Sequence, residues 1–276
     1  MPWHAQLDLH YRHQPPRSVA MHRHDGPLRI LQSLYPEGPA ICHNVLVHPP
    51  GGLVGGDTLA MQVHVDPGAH GLVTTPGATR FYRSTGEPAR QTAHLHLAQG
   101  ARLEWLPLEA IAYSGCLAEN RLTLDLAPGA ELLGWDVTAL GLPHAQQPFE
   151  SGTFTQHIEW PGRWLERGHI AAHDHRLLSS PLGLAGQRCL GALFFATGTP
   201  LTRERREQAL EGARHTAQAS PLAHWTGITC PSEHVVMARV LAPQVEPVMQ
   251  LLQEIRASWR QTLWGLRAEP PRIWSM

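Results

Sequence analysis

Apolar residues recur at every second position in three separated segments of this chain. TLAMQVHV places Leu59, Met61, Val63 and Val65 on one face, TAHLHL places Ala93, Leu95 and Leu97, and RLTLDL places Leu122, Leu124 and Leu126. Alternation with a period of two marks a strand that buries one face. Each segment runs into a short turn, Pro67-Gly68-Ala69, Gln99-Gly100-Ala101 or Pro128-Gly129-Ala130, and then into a second apolar run. Glycine supplies the positive φ that such a turn needs. The unit recurs about every 30 residues, and a unit of that size cannot bury its apolar face alone, so copies must stack. The pattern predicts a mainly all-β fold of stacked β-sheet layers, β-helix-like, with the turns as hairpins or as the corners of a coil. A plain antiparallel sandwich is the alternative. GGLVGGD predicts a tight hairpin turn at Gly55-Gly56-Asp57 leading into TLAMQV.

Two helices are expected, both in the C-terminal half. Thr202 is placed to cap RERREQALEGARHTA, with Glu204 and Glu207 early and Arg214 and His215 late, as the helix dipole prefers. After Pro247, the residues Val248, Leu251, Leu252, Ile255, Trp259 and Leu263 fall at helical spacing, a stripe that packs on the β stack. Pro270-Pro271 stops any helix, leaving residues 268–276 as an extended tail in which Trp274 is either an anchor on the core or part of a partner surface. The whole chain, 1–276, reads as one domain, since all-β architectures of this size often form a single unit.

Charge and composition remove several function classes. A net charge of −1 with no basic stripe argues against a nucleic-acid partner. The N-terminus has no apolar core of signal-peptide length, and no stretch reaches the roughly 18 apolar residues of a membrane span, which points to a cytoplasmic chain. Cys42, Cys116, Cys189 and Cys230 are far apart and form no CxxC pair, so reduced, mostly buried thiols are expected rather than a disulfide framework or a zinc site.

Nineteen histidines raise the question of metal binding. His22 with His24, His94 with His96 and His173 with His175 are spaced to share a strand face, where two imidazoles could hold nickel or zinc. A cupin-type site wants a carboxylate soon after such a pair, and the next acid after His96 is Glu104; the hydrolase pattern HxHxDH also fails, because the chain reads AHDHR around Ala172. Most of the pairs are expected to be solvated surface residues. Ser84, Ser114 and Ser151 lack the GxSxG elbow, and GGLVGGD is neither GxGxxG nor a Walker loop. Glu109 in WLPLEAIAY and Asp136 in LLGWDVTALG are set among apolar residues, so each faces the outer side of a strand or lines a polar channel or a partner surface, with Arg80 and Arg83 as possible ion-pair partners.

Read in order, several segments resemble the urease accessory protein UreD (UreH) family along nearly the whole chain. They are GPLRILQSLYPEG at 26–38, CHNVLVHPPGGLVGGD at 42–57, TTPGATRFYRS at 74–84, LEWLPLEAIAYSGC at 103–116, LLGWDVTALG at 132–141, SPLGLAG at 180–186 and PPRIW at 270–274. The resemblance implies a non-enzymatic scaffold that binds apo-urease, recruits UreF and through it the GTPase UreG, and passes nickel toward the urease active site along an internal polar route. By matching motifs, Asp57, Thr75, Glu109 and Asp136 are candidates for that route, with nickel in transit and no cofactor tightly bound. Trp259, Trp264 and Trp274 are candidates for partner binding or for packing beneath the partner surface. Leu108 stands where the family often has a polar residue, and the high histidine content is a second departure. The competing readings are a His-rich nickel-storage protein, which would cluster its ligands in one segment, and a metal-dependent hydrolase, which would need a convergent site.

Overall fold

The computed structural model describes residues 2–275. In-register parallel strands Thr58–Val65, Ala89–Leu97, Cys116–Leu126 and Gly152–Trp160 lie side by side in a sheet of seven strands. Ile41–Val47, His70–Thr74, Arg102–Leu106 and Glu131–Leu142 do the same in a sheet of twelve. The chain passes back and forth between the two, forming a β-solenoid of about four turns. The coil reading therefore holds and the antiparallel sandwich does not: antiparallel pairing is concentrated at the flanks. There the hairpin His4–Gln14 with Arg17–Asp25 borders one edge of the smaller sheet and Trp164–Ala171 the other. Cys189–Thr197, Val235–Ala242 and Thr226–Ser232 extend the larger sheet.

The three glycine turns are corners of this coil. Gly68, Gly100 and Gly129 have φ of +73°, +67° and +75°, and successive corners are tied by Arg102 N–H to Ala69 O and Glu131 N–H to Ala101 O, both 2.9 Å. The expected hairpin at Gly55-Gly56-Asp57 is also a corner. Gly52–Leu53 pairs in parallel with Thr79–Phe81 instead of folding back on Thr58–Val65. Asp57 fixes the bend, its buried carboxylate accepting from Trp3 N–H at 2.7 Å and Val54 N–H at 2.9 Å.

Inward side chains of both sheets make one apolar core, including Leu59, Met61, Leu95, Leu124, Leu132 and Phe154. A second core lies on the outer face of the larger sheet, where Leu133, Trp135 and Val137 meet the helices. Three α-helices form: α1 (His175–Ser179), short and not foreseen, capped by Asp174; α2 (Arg203–Gln218), capped by the Thr202 hydroxyl as expected; and α3 (Val245–Trp264), ended by Gly265 at φ +65°. The third helix starts two residues before Pro247, in the first turn, where an absent N–H leaves no bond unmade. Its apolar stripe, with Val248, Leu252, Ile255 and Trp259, is buried on the sheet and on α2.

Buried charge also fastens α3. Glu104, fully buried on the strand Arg102–Leu106, receives Arg256 Nε at 2.7 Å and pairs with Arg260, which also pairs with Glu37. His43 Nε2 lies 2.9 Å from the other oxygen of Glu37. Around Glu131 a second set gathers Arg102, Arg205 and the Trp264 indole N–H.

The tail is only partly extended, because after Pro271 the chain closes a 3₁₀ turn over Arg272–Ser275. That turn presents the Trp274 indole N–H to Thr74 Oγ1 at 2.8 Å, and its ring packs 5.1 Å from that of Trp135, with the Arg256 guanidinium 5.5 Å away. Trp274 is thus an anchor on this chain's own sheet. Trp274→Ala is expected to lower stability by about 2 kcal/mol while far-ultraviolet dichroism stays β-like. An unchanged thermal midpoint would contradict the anchoring role.

Candidate functional site: a polar row inside the solenoid

Within the inward-facing apolar register of the smaller sheet, three positions carry amides. Gln91 stands between Ala89 and Ala93, Asn120 between Ala118 and Leu122, and Gln156 between Phe154 and Ile158. Strand register sets Asn120 directly beside Gln91 on one neighbour and beside Gln156 on the other. The amides therefore form a row along the solenoid axis. Gln91 Nε2 donates to Asn120 Oδ1 at 3.2 Å.

Asp136 completes the row from the opposite sheet. On Glu131–Leu142 it alternates with Trp135 and Val137, so it points inward where they point to the helices. Asn120 Nδ2 donates to Asp136 Oδ2 at 2.9 Å, and Gln156 Nε2 donates to Asp136 Oδ1 at 3.0 Å. Thr138 Oγ1 adds a longer contact of 3.4 Å. Burial pushes the carboxyl up to about 6 despite the hydrogen bonds from Gln156 and Thr138 that favour its charged form. Among the described residues no basic side chain forms an ion pair with it. A half-buried carboxylate at the edge of a cavity, hydrogen-bonded but not ion-paired, is a place where a cation gains from binding.

Cavities adjoin both ends of the row. Gln91 lines one of about 210 Å³ that also meets His48, Thr75 and Arg80, with Leu59 and Met61 of the smaller sheet. Asp136 and Gln156 line another of about 340 Å³, whose wall carries Glu166 and Arg239. Those two form a two-pronged ion pair, Arg239 Nε to Glu166 Oε1 at 2.8 Å and Nη2 to Oε2 at 2.6 Å. A chain of hydrogen-bonded polar side chains thus links two cavities through an otherwise apolar interior.

The four residues expected to line a polar route are not brought into one cluster. Asp136 lies in the row. Thr75 lies at the first cavity, its hydroxyl donating to Gly77 O at 3.0 Å and accepting from Leu108 N–H at 2.8 Å. Asp57 spends both carboxylate oxygens on backbone N–H groups at its corner. Glu109 borders a separate cavity of about 200 Å³ beside Arg188, Cys189 and Glu246. Burial, then repulsion from Glu246, raises its pKa, which Arg80 opposes without forming an ion pair.

Trp259 and Trp264 are buried, their indole N–H groups donating to Ala209 O at 2.9 Å and Glu131 Oε2 at 2.7 Å. Any influence they have on a partner passes through packing. Cys42, Cys116 and Cys189 are buried free thiols, and burial pushes Cys116 and Cys189 up to about 12, which makes them inert. His22 and His24 stack on the edge strand at 5.8 Å, while His173 and His175 are exposed near the start of α1. Gln91, Asn120 and Gln156 were not singled out from the sequence. Their signal is one polar residue at the same phase of three alternating, otherwise apolar registers.

A family model, UreD urease accessory protein, matches residues 4–275. The chain belongs to the UreD family. It is 65% identical over 276 residues to the urease accessory protein UreD of Albidiferax ferrireducens, with all of both chains covered. To the UreD of Variovorax paradoxus it is 64% identical over 275 residues, again with full coverage. To that of Methylibium petroleiphilum it is 51% identical over 294 residues, covering 99% of each. Membership in the UreD family implies a part in urease maturation. Among the described residues no helix is long and apolar enough to cross a membrane.

Proposed function

We propose that this chain is a non-catalytic urease maturation factor of the cytoplasm, which binds apo-urease, recruits UreF and the GTPase UreG, and conducts nickel through its own interior. The observation that carries the conduit is the row Gln91–Asn120–Asp136–Gln156, which joins two cavities across the solenoid. Amide and carboxylate oxygens are ligands that a divalent ion exchanges readily, and a route must bind each ion weakly enough to release it. Asp136 supplies the negative charge that offsets dehydration of the ion, and the amides supply oxygens between cavities. Thr75, with His48 and Arg80, lines the cavity at one end; Glu166 and Arg239 line the cavity at the other. Asp57 supports this reading only as the brace of the corner that leads into Thr58–Val65. Glu109, at its own cavity, would serve a side branch.

A storage role is less well supported: the histidines are distributed over both sheets and the loops, and among the described residues no three metal-binding side chains converge. The same observation disfavours a metal-dependent hydrolase.

Co-expression with urease subunits and a UreF-type protein tests the scaffold role. Tagged full-length chain is expected to retain both partners on the column, and UreG only when UreF is present. Retention of neither urease nor UreF would overturn the reading.

A further inference from the structure

The outward face of the smaller sheet carries a second row. His10, His64 and His96 occupy paired positions on three neighbouring parallel strands, and Asp125 pairs with His96 on the fourth. His94 lies two residues before His96 and so shares its face. The rings follow the strand spacing: His64 stacks on His96 with centroids 4.8 Å apart and planes 4° from parallel, His94 and His96 are 3.9 Å apart, and His10 and His64 6.0 Å. Carboxylates flank the row. His10 Nε2 is 2.6 Å from Asp66 Oδ1, and His96 Nδ1 is 3.3 Å from Asp125 Oδ2.

His64 and His94 form no hydrogen bond among the described residues, in contrast to His10 and His96. Imidazoles at this density fit a borderline divalent transition-metal ion, and a carboxylate beside a ligating imidazole fixes its tautomer and raises its basicity.

We propose that His64, His94 and His96, with His10 and Asp125 beside them, form a surface site for one divalent transition-metal ion such as Ni²⁺ or Zn²⁺. The stacked rings do not yet converge on one point. Binding turns the partly exposed, unbonded rings of His64 and His94 about χ1 and χ2 until their nitrogens meet that of His96. The site is on the opposite face of the sheet from the polar row and does not depend on it.

Titration of Ni²⁺ and Zn²⁺ into the full chain, in competition with a chromophoric chelator, tests the site without urease. One ion per chain is expected, with affinity falling as the pH is lowered. The double variant His64→Gln, His96→Gln should lose at least about tenfold in affinity with unchanged far-ultraviolet dichroism, whereas His173→Gln, His175→Gln should bind as the parent does. Absence of binding by the parent, or equal affinity in the His64, His96 variant, overturns the proposal; a matching loss in the His173, His175 variant assigns the ion elsewhere and also overturns it.

Discussion

Glu104→Ala is expected to cause one of the largest losses of stability available to a single substitution in this chain. Glu104 is fully buried between the larger sheet and α3, and it is the shared partner of Arg256 and Arg260, both themselves buried. Removing it leaves Arg256 in the interior with no ion-pair partner among the described residues, and Arg260 with Glu37 and the Arg267 carbonyl. Breaking a buried pair in this way costs about 3–5 kcal/mol, because a guanidinium is left in the interior without its counter-charge. For a chain of this size the thermal midpoint should fall by roughly 10 °C, and soluble yield should fall with it. Replacing all three residues together with apolar ones, Glu104→Leu with Arg256→Met and Arg260→Met, should recover much of the loss. A single variant as stable as the parent would show that these charges do not hold α3.

Acid should act through the same group. Burial alone would raise the Glu104 carboxyl, but Arg256, His70 and Arg260 together hold it well below the usual carboxylate range. A depressed folded-state pKa means the stabilisation is complete above the unfolded value of 4.5 and is lost as the pH falls below it. Parent protein should therefore lose stability steeply below about pH 4.5, and the triple apolar variant should lose less.

Asp136→Asn is expected to move stability and function in opposite directions. The folded carboxyl stands at about 6 against an ordinary 3.8, raised by burial. The folded state therefore binds more protons than the unfolded state across that window, and stability declines as the pH rises through it. Keeping Asp136 charged at neutral pH costs on the order of 3 kcal/mol. The Asn variant keeps an oxygen for Asn120 or Gln156, carries no charge, and should melt higher at neutral pH with a flatter profile between pH 4 and 6. Asp136→Leu is the harsher change, since it strands the amide donors of Asn120 and Gln156. A charge maintained at such a cost is expected where function requires it.

Much of the solenoid is legible from sequence because alternation and a glycine at each corner are local signals, and they recur at a fixed interval. Corner and hairpin, however, have the same local chemistry. Which one Gly55-Gly56-Asp57 makes depends on the direction of the strand that Gly52–Leu53 pairs with, a partner some thirty residues away. The polar row escaped for a related reason. Gln91 and Asn120 sit at the edge of segments recognised by their leucines, and a lone amide in an apolar register looks like the end of a strand. Only the pairing of Gln91 with Asn120 and of Asn120 with Gln156 makes them one feature. Asp136 was recognised because apolar residues enclose it in the chain. Glu104 was not connected to Arg256, which lies 152 residues on, since no local pattern ties a strand acid to a helix base at that range. Trp259 and Trp264 were expected as partner anchors or as packing beneath them; their burial follows from the helix phase, which turns both toward α2 and the sheet.

The conduit is tested most directly by nickel content per urease active site after maturation with Asp136→Asn, measured beside the stoichiometry of the urease complex and the melting temperature of the variant. The expected result is a more stable chain, a complex of unchanged composition, and urease that carries less nickel with activity reduced in proportion. Full nickel content from a correctly assembled complex would contradict the passage of nickel along the row that contains Asp136.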